Sequence, residues 1–400
     1  MGEIDTTSHI VVSQGRTAYN SASEFLEDTA SRERFKSNNF MELTLDFATN
    51  ESNRVAARRL NRIRRETEGI SPTTYRNTVE REGVAMQEHM EQKCDEILDK
   101  NGFTWNGETY ENVRFAPDNP QHVLQAEIEN AAIKLNIENY NASDYELPSD
   151  TINVSIDDVG VKRQTEIRPR DEGVQQAKRV ENTVLHIQHK DKNYILNAAS
   201  LLSGIKLLIG LLLFNGLLKK QIVIFADGAR VIHAAVLKML HFANVKIVLD
   251  WYHLEKKCKE SLSMALKGSK IRNEFLDVLM PCLWFGDVER AIRLLENIDP
   301  IKVRNAEYIR ILIEYFRRVM PHVPCYALRK ELGLRNSSNL GEKANDIVVS
   351  NRQKHNGMSW SNKGSVSFAT VASVSHNCEA LRWVHDRKIN FELRSVSQAA

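Results

Sequence analysis

Cysteine is scarce in this 400-residue chain and is never arranged for pairing or for metal. Cys94, Cys258, Cys282, Cys325 and Cys378 stand far apart, with no Cys-x-x-Cys and no histidine at zinc-finger spacing. This excludes a structural zinc module and leads us to expect a reduced, cytoplasmic compartment. The opening Met-Gly-Glu-Ile-Asp-Thr-Thr lacks the basic and apolar regions of a secretory signal. A long uninterrupted apolar run is missing too. Residues 196–218 are leucine-rich, but Asn197, Asn215, three glycines and the central Lys206 interrupt them. Lysine there costs about 2.5–3.5 kcal/mol on insertion scales, so a buried crossover helix is expected and no membrane partner. Charge of one sign is also absent, since 54 Lys and Arg oppose 52 Asp and Glu.

What is present is a globular composition, 42% hydrophobic and 26% charged, in a chain long enough for two or three domains. Residues 1–150 carry apolar side chains at helical spacing and few strand-like runs, and read as a mostly helical region. Arg54, Arg58, Arg59, Arg62, Arg64 and Arg65 crowd into one stretch. They form either a phosphate-binding footprint or a solvated helix face balanced by Glu66, Glu68, Glu80 and Glu82. A helix from about Asn53 to Thr67 would place Val55, Leu60 and Ile63 on one side. Gly69 would break it, and Ser71-Pro72 would open the next as N-cap and first residue. Over about 53–83 this makes a helix-turn-helix candidate, with Thr73, Thr74, Arg76 and Asn77 leading the second helix. The alternative is an ordinary helical hairpin. Asn139 to Asp150, rich in Asn, Ser and Asp, reads as a linker.

From Thr151 the pattern turns to strands. Ile152, Val154 and Ile156 alternate, Val159 and Val161 continue, and Thr183–Gln188 and Tyr194–Leu196 give two more runs. The leucine-rich helix, a strand Ile222–Ala226, a helix Ala229–Phe242 and a strand Val245–Leu249 come next. This order matches an RNase H-like α/β core. Beyond Trp251 the chain reads as helical to about Arg335, with Pro281, Trp284 and Phe285 breaking the pattern.

Acids end these strands. Asp157 and Asp227 each close an apolar run, at the sheet edge where open α/β sheets keep their ligand crevice. Asp158 adjoins Asp157, and alternation lets only one of them face Asp227. Asp250 closes the next strand, either as a third ligand or, more in keeping with its type, as a helix N-cap with His253 in the first turn. Glu342 opens a later helix whose apolar stripe is Leu340, Ala344, Ile347 and Val348, with Glu342, Asn345, Asp346 and Val349 on another side. Helical spacing does not separate Glu342 from Asp346.

Four stretches in this order, residues 154–164, Phe-Ala-Asp-Gly-Ala at 225–229, Leu-Asp-Trp-Tyr-His-Leu at 249–254, and 339–361, resemble the DDE transposases of bacterial insertion sequences related to the Mutator superfamily. The resemblance implies that Asp157, Asp227 and Glu342 are the catalytic, metal-binding acids, with Asp250 and His253 as an Asp-x-x-His element. It implies an RNase H-like core over 151–258 and 336–400, interrupted by an all-helical insertion at 259–335. The implied activity is cleavage at transposon ends and strand transfer into target DNA. Two Mg²⁺ ions about 3.5–4 Å apart, replaceable by Mn²⁺, would serve both steps. Double-stranded DNA, a homodimer or larger assembly, and a bacterial, nucleoid-associated setting are implied as well. Arg58, Arg62, Arg65, Thr73, Thr74, Arg76 and Asn77 are the expected DNA contacts in the helical region. Arg352, Lys354, His355 and Lys363 flank Trp360, which either stacks on an unpaired base or anchors the core. Two rivals stand beside this reading, an inactive transposase-derived DNA-binding protein and an RNase H-like nuclease that cuts without joining.

Overall fold

The computed structural model describes residues 36–65, 69–164, 178–354 and 358–395, with the backbone of four short strands between 10 and 34. Its centre is a six-stranded mixed sheet built from β1 (Ile152–Lys162), β2 (Arg179–His189), β3 (Lys192–Ala198), β4 (Ile222–Ala226), β5 (Val245–Leu249) and β6 (Arg394–Ser395), in the order β5-β4-β1-β2-β3-β6. Strands β1, β2 and β3 are antiparallel neighbours, while β4 and β5 run parallel to β1. The two strands expected at 222–226 and 245–249 have those bounds. The first three are longer than expected, because polar residues such as Asn182 and Asn197 are buried within the ladder.

Helices cover both faces of the sheet. The helical region contributes α1 (Asn38–Asn50), α2 (Asn53–Arg64), the 29-residue α3 (Pro72–Lys100) and α4 (Gln125–Leu135). The leucine-rich segment forms α5 (Leu201–Phe214), the crossover from β3 to β4, as expected. It buries Ile205, Leu207, Leu208, Ile209, Leu211 and Leu212, each worth about 1.5–3 kcal/mol as an upper estimate. Lys206 escapes to its edge and pairs with Asp95 at 2.6 Å. Among the described residues no helix is long and apolar enough to cross a membrane. Helix α3 packs against α5 and also against a later helix at residues 362–376 on the opposite face. The helices before residue 101 thus share one apolar core with the sheet, across the boundary expected near 150.

Between β4 and β5 runs α6 (Arg230–Met239). After β5 the chain is helical, as expected: α7 (Trp251–Ala265), α8 (Ser269–Trp284), α9 (Val288–Glu296), α10 (Ala306–Val319) and α11 (Tyr326–Glu331). Pro281, expected to break the pattern, lies within α8. These helices form a second core on Val223 and Phe225 of β4 and Val248 and Leu249 of β5, while Ile222, Ile224 and Ala226 face the first core. Alternation along one strand therefore serves two cores.

The segment 139–150 is not a free linker. It carries a 3₁₀ turn at Ala142–Asp144, a buried Tyr145, and Glu146, whose carboxylate takes both guanidinium nitrogens of the buried Arg329 at 2.6 and 3.0 Å. Two buried ions paired in this bidentate way tie the segment to α11.

Candidate active site

The sheet register brings the acids together. Phe225 pairs with Ser155 on one side and Val248 on the other. Two residues further along each parallel strand, Asp157, Asp227 and Asp250 fall in one row, and Asp250 N–H donates to the Ala226 carbonyl at 3.0 Å. Asp157 shares a cleft with Asp227, His253, Glu342 and Asn345. Asp158 points to the opposite face and accepts from the Thr183 hydroxyl at 2.5 Å.

Glu342 arrives on α12 (Asn339–Asn345), which lies on the sheet because Gly341 has no side chain. A Cβ there would stand 2.5 Å from the Ser155 Cβ. The helix continues through a π turn, Asp346–Ser350, into α13 (Asn351–Gln353). A π turn adds a residue to the helical repeat and rotates the side chains beyond it about the axis. This corrects the expected stripe: Ala344, Val348 and Val349 are buried, with Val349 moved from the Glu342 side into the core. Asp346 is exposed, whereas Glu342 lines the cleft.

Asp250 is fully buried and acts as the N-cap of α7, accepting from the His253 N–H at 3.1 Å. Its other oxygen accepts from the Ser338 N–H, immediately before α12. One carboxylate thereby fixes the starts of both helices that deliver His253 and Glu342. His253 Nε2 lies 3.6 Å from Glu342 Oε1. Asn345, one turn after Glu342, donates to Asp157 Oδ2 at 2.6 Å. Its place beside Glu342 was legible from the i, i+3 spacing, but its partner was not.

The electrostatics come from this crowding. Burial raises the Asp157 carboxyl above its ordinary value; nearby Asp227 and Asp158 add to the rise and His253 opposes it. Burial likewise raises Glu342, with Asp250 and Asp157 adding and His253 opposing. The acids repel one another in a partly desolvated cleft.

The expected DNA contacts divide into two groups. Arg54, Arg58, Arg62 and Arg65 are exposed and recur every three or four residues along α2 and its C-cap, so they share one side of the helix. The buried side is Ala56, Ala57 and Leu60; Val55 and Ile63, expected on one side with Leu60, are exposed. The helix ends at Arg64 with Arg65 in the left-handed region, before Gly69 and before Thr67, which lies outside the described residues. Ser71 caps α3 with Pro72 at its start, as expected, and Thr73, Thr74, Arg76 and Asn77 are exposed in its first turns.

Arg352 and Trp360 belong to the core instead. Arg352 is 1% exposed and Trp360 6%, and the guanidinium lies over the Trp360 and Phe368 rings at 5.1 and 5.2 Å. Arg352 also donates to the Asn53 side chain at 2.9 Å, and burial lowers its pKa to about 10. Stacking between two rings removes both residues from any polyanion. Lys354 and Lys363 remain exposed, and His355 lies outside the described residues.

No protein-family model matches the chain, and no curated protein matches its sequence. Among solved structures, the Drosophila P element transposase strand transfer complex is similar over 92% of this chain and 85% of that one, at 9% identity and a TM-score of 0.27.

Proposed function

We propose that this chain is a DNA transposase of the DDE type, in which Asp157, Asp227 and Glu342 are the catalytic acids. The observation that carries the reading is the row of strand-terminal aspartates with the Glu342 helix laid across it. Strand order supports an RNase H-like core, with three antiparallel strands followed by two parallel ones added beside the first. The helical unit between β5 and α12 stands where an insertion before the third acid belongs. The exposed arginines of α2 and the leading residues of α3 supply the duplex-binding surface of a helix-turn-helix.

The donor set suits Mg²⁺ in kind, since three carboxylates are hard oxygen ligands. Burial raises Asp157 and Glu342, and repulsion from neighbouring acids adds to the rise; a divalent cation would relieve that repulsion. When bound, the metal supplies an activated nucleophile and a stabilised leaving oxygen. The protein's own groups orient the acids: Asn345 holds one oxygen of Asp157, His253 faces Glu342, and Asp250 fixes both helices. Water, and then the freed 3′-hydroxyl, would approach the same cleft at the carboxyl edge of the sheet.

One observation favours the rival, an inactive DNA-binding descendant. Among the described residues no three His, Cys, Asp or Glu side chains are gathered closely enough to hold a metal. Mn²⁺ titration by calorimetry separates the two readings. Wild type is expected to bind Mn²⁺ and the Asp157→Asn and Glu342→Gln variants to bind it more weakly. Equal binding by all three overturns the catalytic assignment.

A further inference from the structure

Beside the acidic cleft, and sharing Asp227 and His253 with it, lies a second hollow of about 330 Å³ between α7, α10 and the turn after β4. Its charge is reversed. Lys256 and Lys257 come from α7 and Arg318 from α10, and none of the three forms an ion pair with a carboxylate among the described residues. Glu260, one turn beyond the lysines, is the acid of α7 on this rim.

The hollow is built rather than merely basic. Arg318 is anchored by donating to the Gly228 carbonyl at 2.9 Å and lies over the Tyr315 ring at 5.3 Å; Lys257 lies over the same ring at 5.9 Å. Tyr315 is 8% exposed, lines the hollow, and its hydroxyl has no hydrogen-bond partner. Leaving a buried hydroxyl unpaired is unfavourable, so an acceptor oxygen brought by a ligand has a donor waiting. Gly228, at φ +81°, lets the turn after Asp227 pack closely on Tyr315, since a Cβ there would stand 3.0 Å from the Tyr315 hydroxyl. A solvated helix face accounts for the exposed Lys256. It does not account for an anchored guanidinium, a half-buried lysine and an unpaired phenol converging on one space.

We propose that Lys256, Lys257, Arg318 and Tyr315 form a phosphate subsite that holds the DNA backbone next to the phosphate in the acidic cleft. This rests on the phosphoryl-transfer reading of Asp157, Asp227 and Glu342. The three cations offset the repulsion a polyanion meets at an acidic cluster, and the Tyr315 hydroxyl donates to a phosphate oxygen.

The test is anisotropy of a fluorescein-labelled twelve-nucleotide oligo(dT) with the full chain, recorded against NaCl concentration. Each phosphate contact on a single strand contributes about 0.7 to the slope of log K against log salt. The Lys256→Gln/Lys257→Gln double variant is expected to lower that slope by about 1.4 and Arg318→Gln by about 0.7. The Lys267→Gln/Lys302→Gln double variant, exposed lysines of the same helical unit outside the hollow, should leave it unchanged. An unchanged slope in the first two, or an equal fall in the control, overturns the subsite. Mn²⁺-dependent cutting is measured on the same preparations. A slope change without wild-type cutting removes the phosphoryl-transfer reading and leaves the subsite; cutting without a slope change does the reverse.

Discussion

Replacing Gly341 with alanine puts a methyl group where the structure has no room. The new Cβ would stand 2.5 Å from the Ser155 Cβ and 3.0 Å from its Oγ. Carbon atoms rest at about 3.5–4.0 Å, so roughly 1 Å must be found. β1 is hydrogen-bonded on both edges and does not yield; the helix carrying Glu342 does. Overpacking of this kind costs about 1–3 kcal/mol. Ser155→Gly removes the opposing atom at its own strand cost of about 0.5–1 kcal/mol. The pair should therefore be non-additive in urea denaturation, with the double variant more stable than the sum of the singles by about 1–2 kcal/mol. Cutting should show the same pattern. A helix displaced by about 1 Å costs on the order of 100-fold in rate, recovered in the double variant at unchanged DNA affinity. Additive stabilities, or a fully active Gly341→Ala, would refute the reasoning.

Asp250→Ala should destabilise by about 2–4 kcal/mol, from a lost N-cap and an orphaned Ser338 N–H, and Asp250→Asn by about half, since the amide keeps the cap alone; urea midpoints decide. Raised carboxyls at Asp157 and Glu342 mean that the folded protein binds protons more readily there than the unfolded chain. Their stabilising share is present below the ordinary values of 3.8 and 4.5 and is lost as pH rises through the raised ones. Asp157→Asn and Glu342→Gln should therefore stabilise the metal-free protein at neutral pH, with a gain that fades on acidification; equal gains at every pH would contradict this. Arg58→Gln/Arg62→Gln should leave stability within about 0.5 kcal/mol and lower the duplex-binding salt slope by about 1.8. Arg352→Ala should do the opposite, costing more than about 2 kcal/mol with the slope unchanged.

Much of the fold was legible in the chain because strands that end on an acid declare both their length and their polarity. The apolar runs Ile222–Ala226 and Val245–Leu249 coincide with the two strands, and the residue type of Asp250 and the apolar run before it mark it as a cap. The leucine-rich crossover was legible because Lys206 interrupts it, and Asp95, its partner on α3, was not. Three features were hidden for physical reasons. The π turn at 346–350 shifts the helical phase, so a regular repeat misplaces Val349. Arg352 and Trp360 each look like nucleic-acid contacts, and only tertiary packing stacks them on each other. Asn139–Asp150 has the composition of a linker, and its anchor is a glutamate whose partner, Arg329, lies 183 residues away. The helix-turn-helix candidate rests, in the sequence, on a glycine break and a cap. The cap stands as expected, whereas the break is an arginine in the left-handed region, a conformation that sequence favours glycine to adopt.

The central claim is that Asp157, Asp227 and Glu342 act together on a DNA strand. Nicking of supercoiled plasmid with Mg²⁺ or Mn²⁺ tests it most directly, comparing wild type with Asp227→Asn at matched DNA binding. Metal-dependent nicks are expected with wild type and none with the variant. Nicking of equal rate in both, or binding lost together with cutting, would contradict the claim.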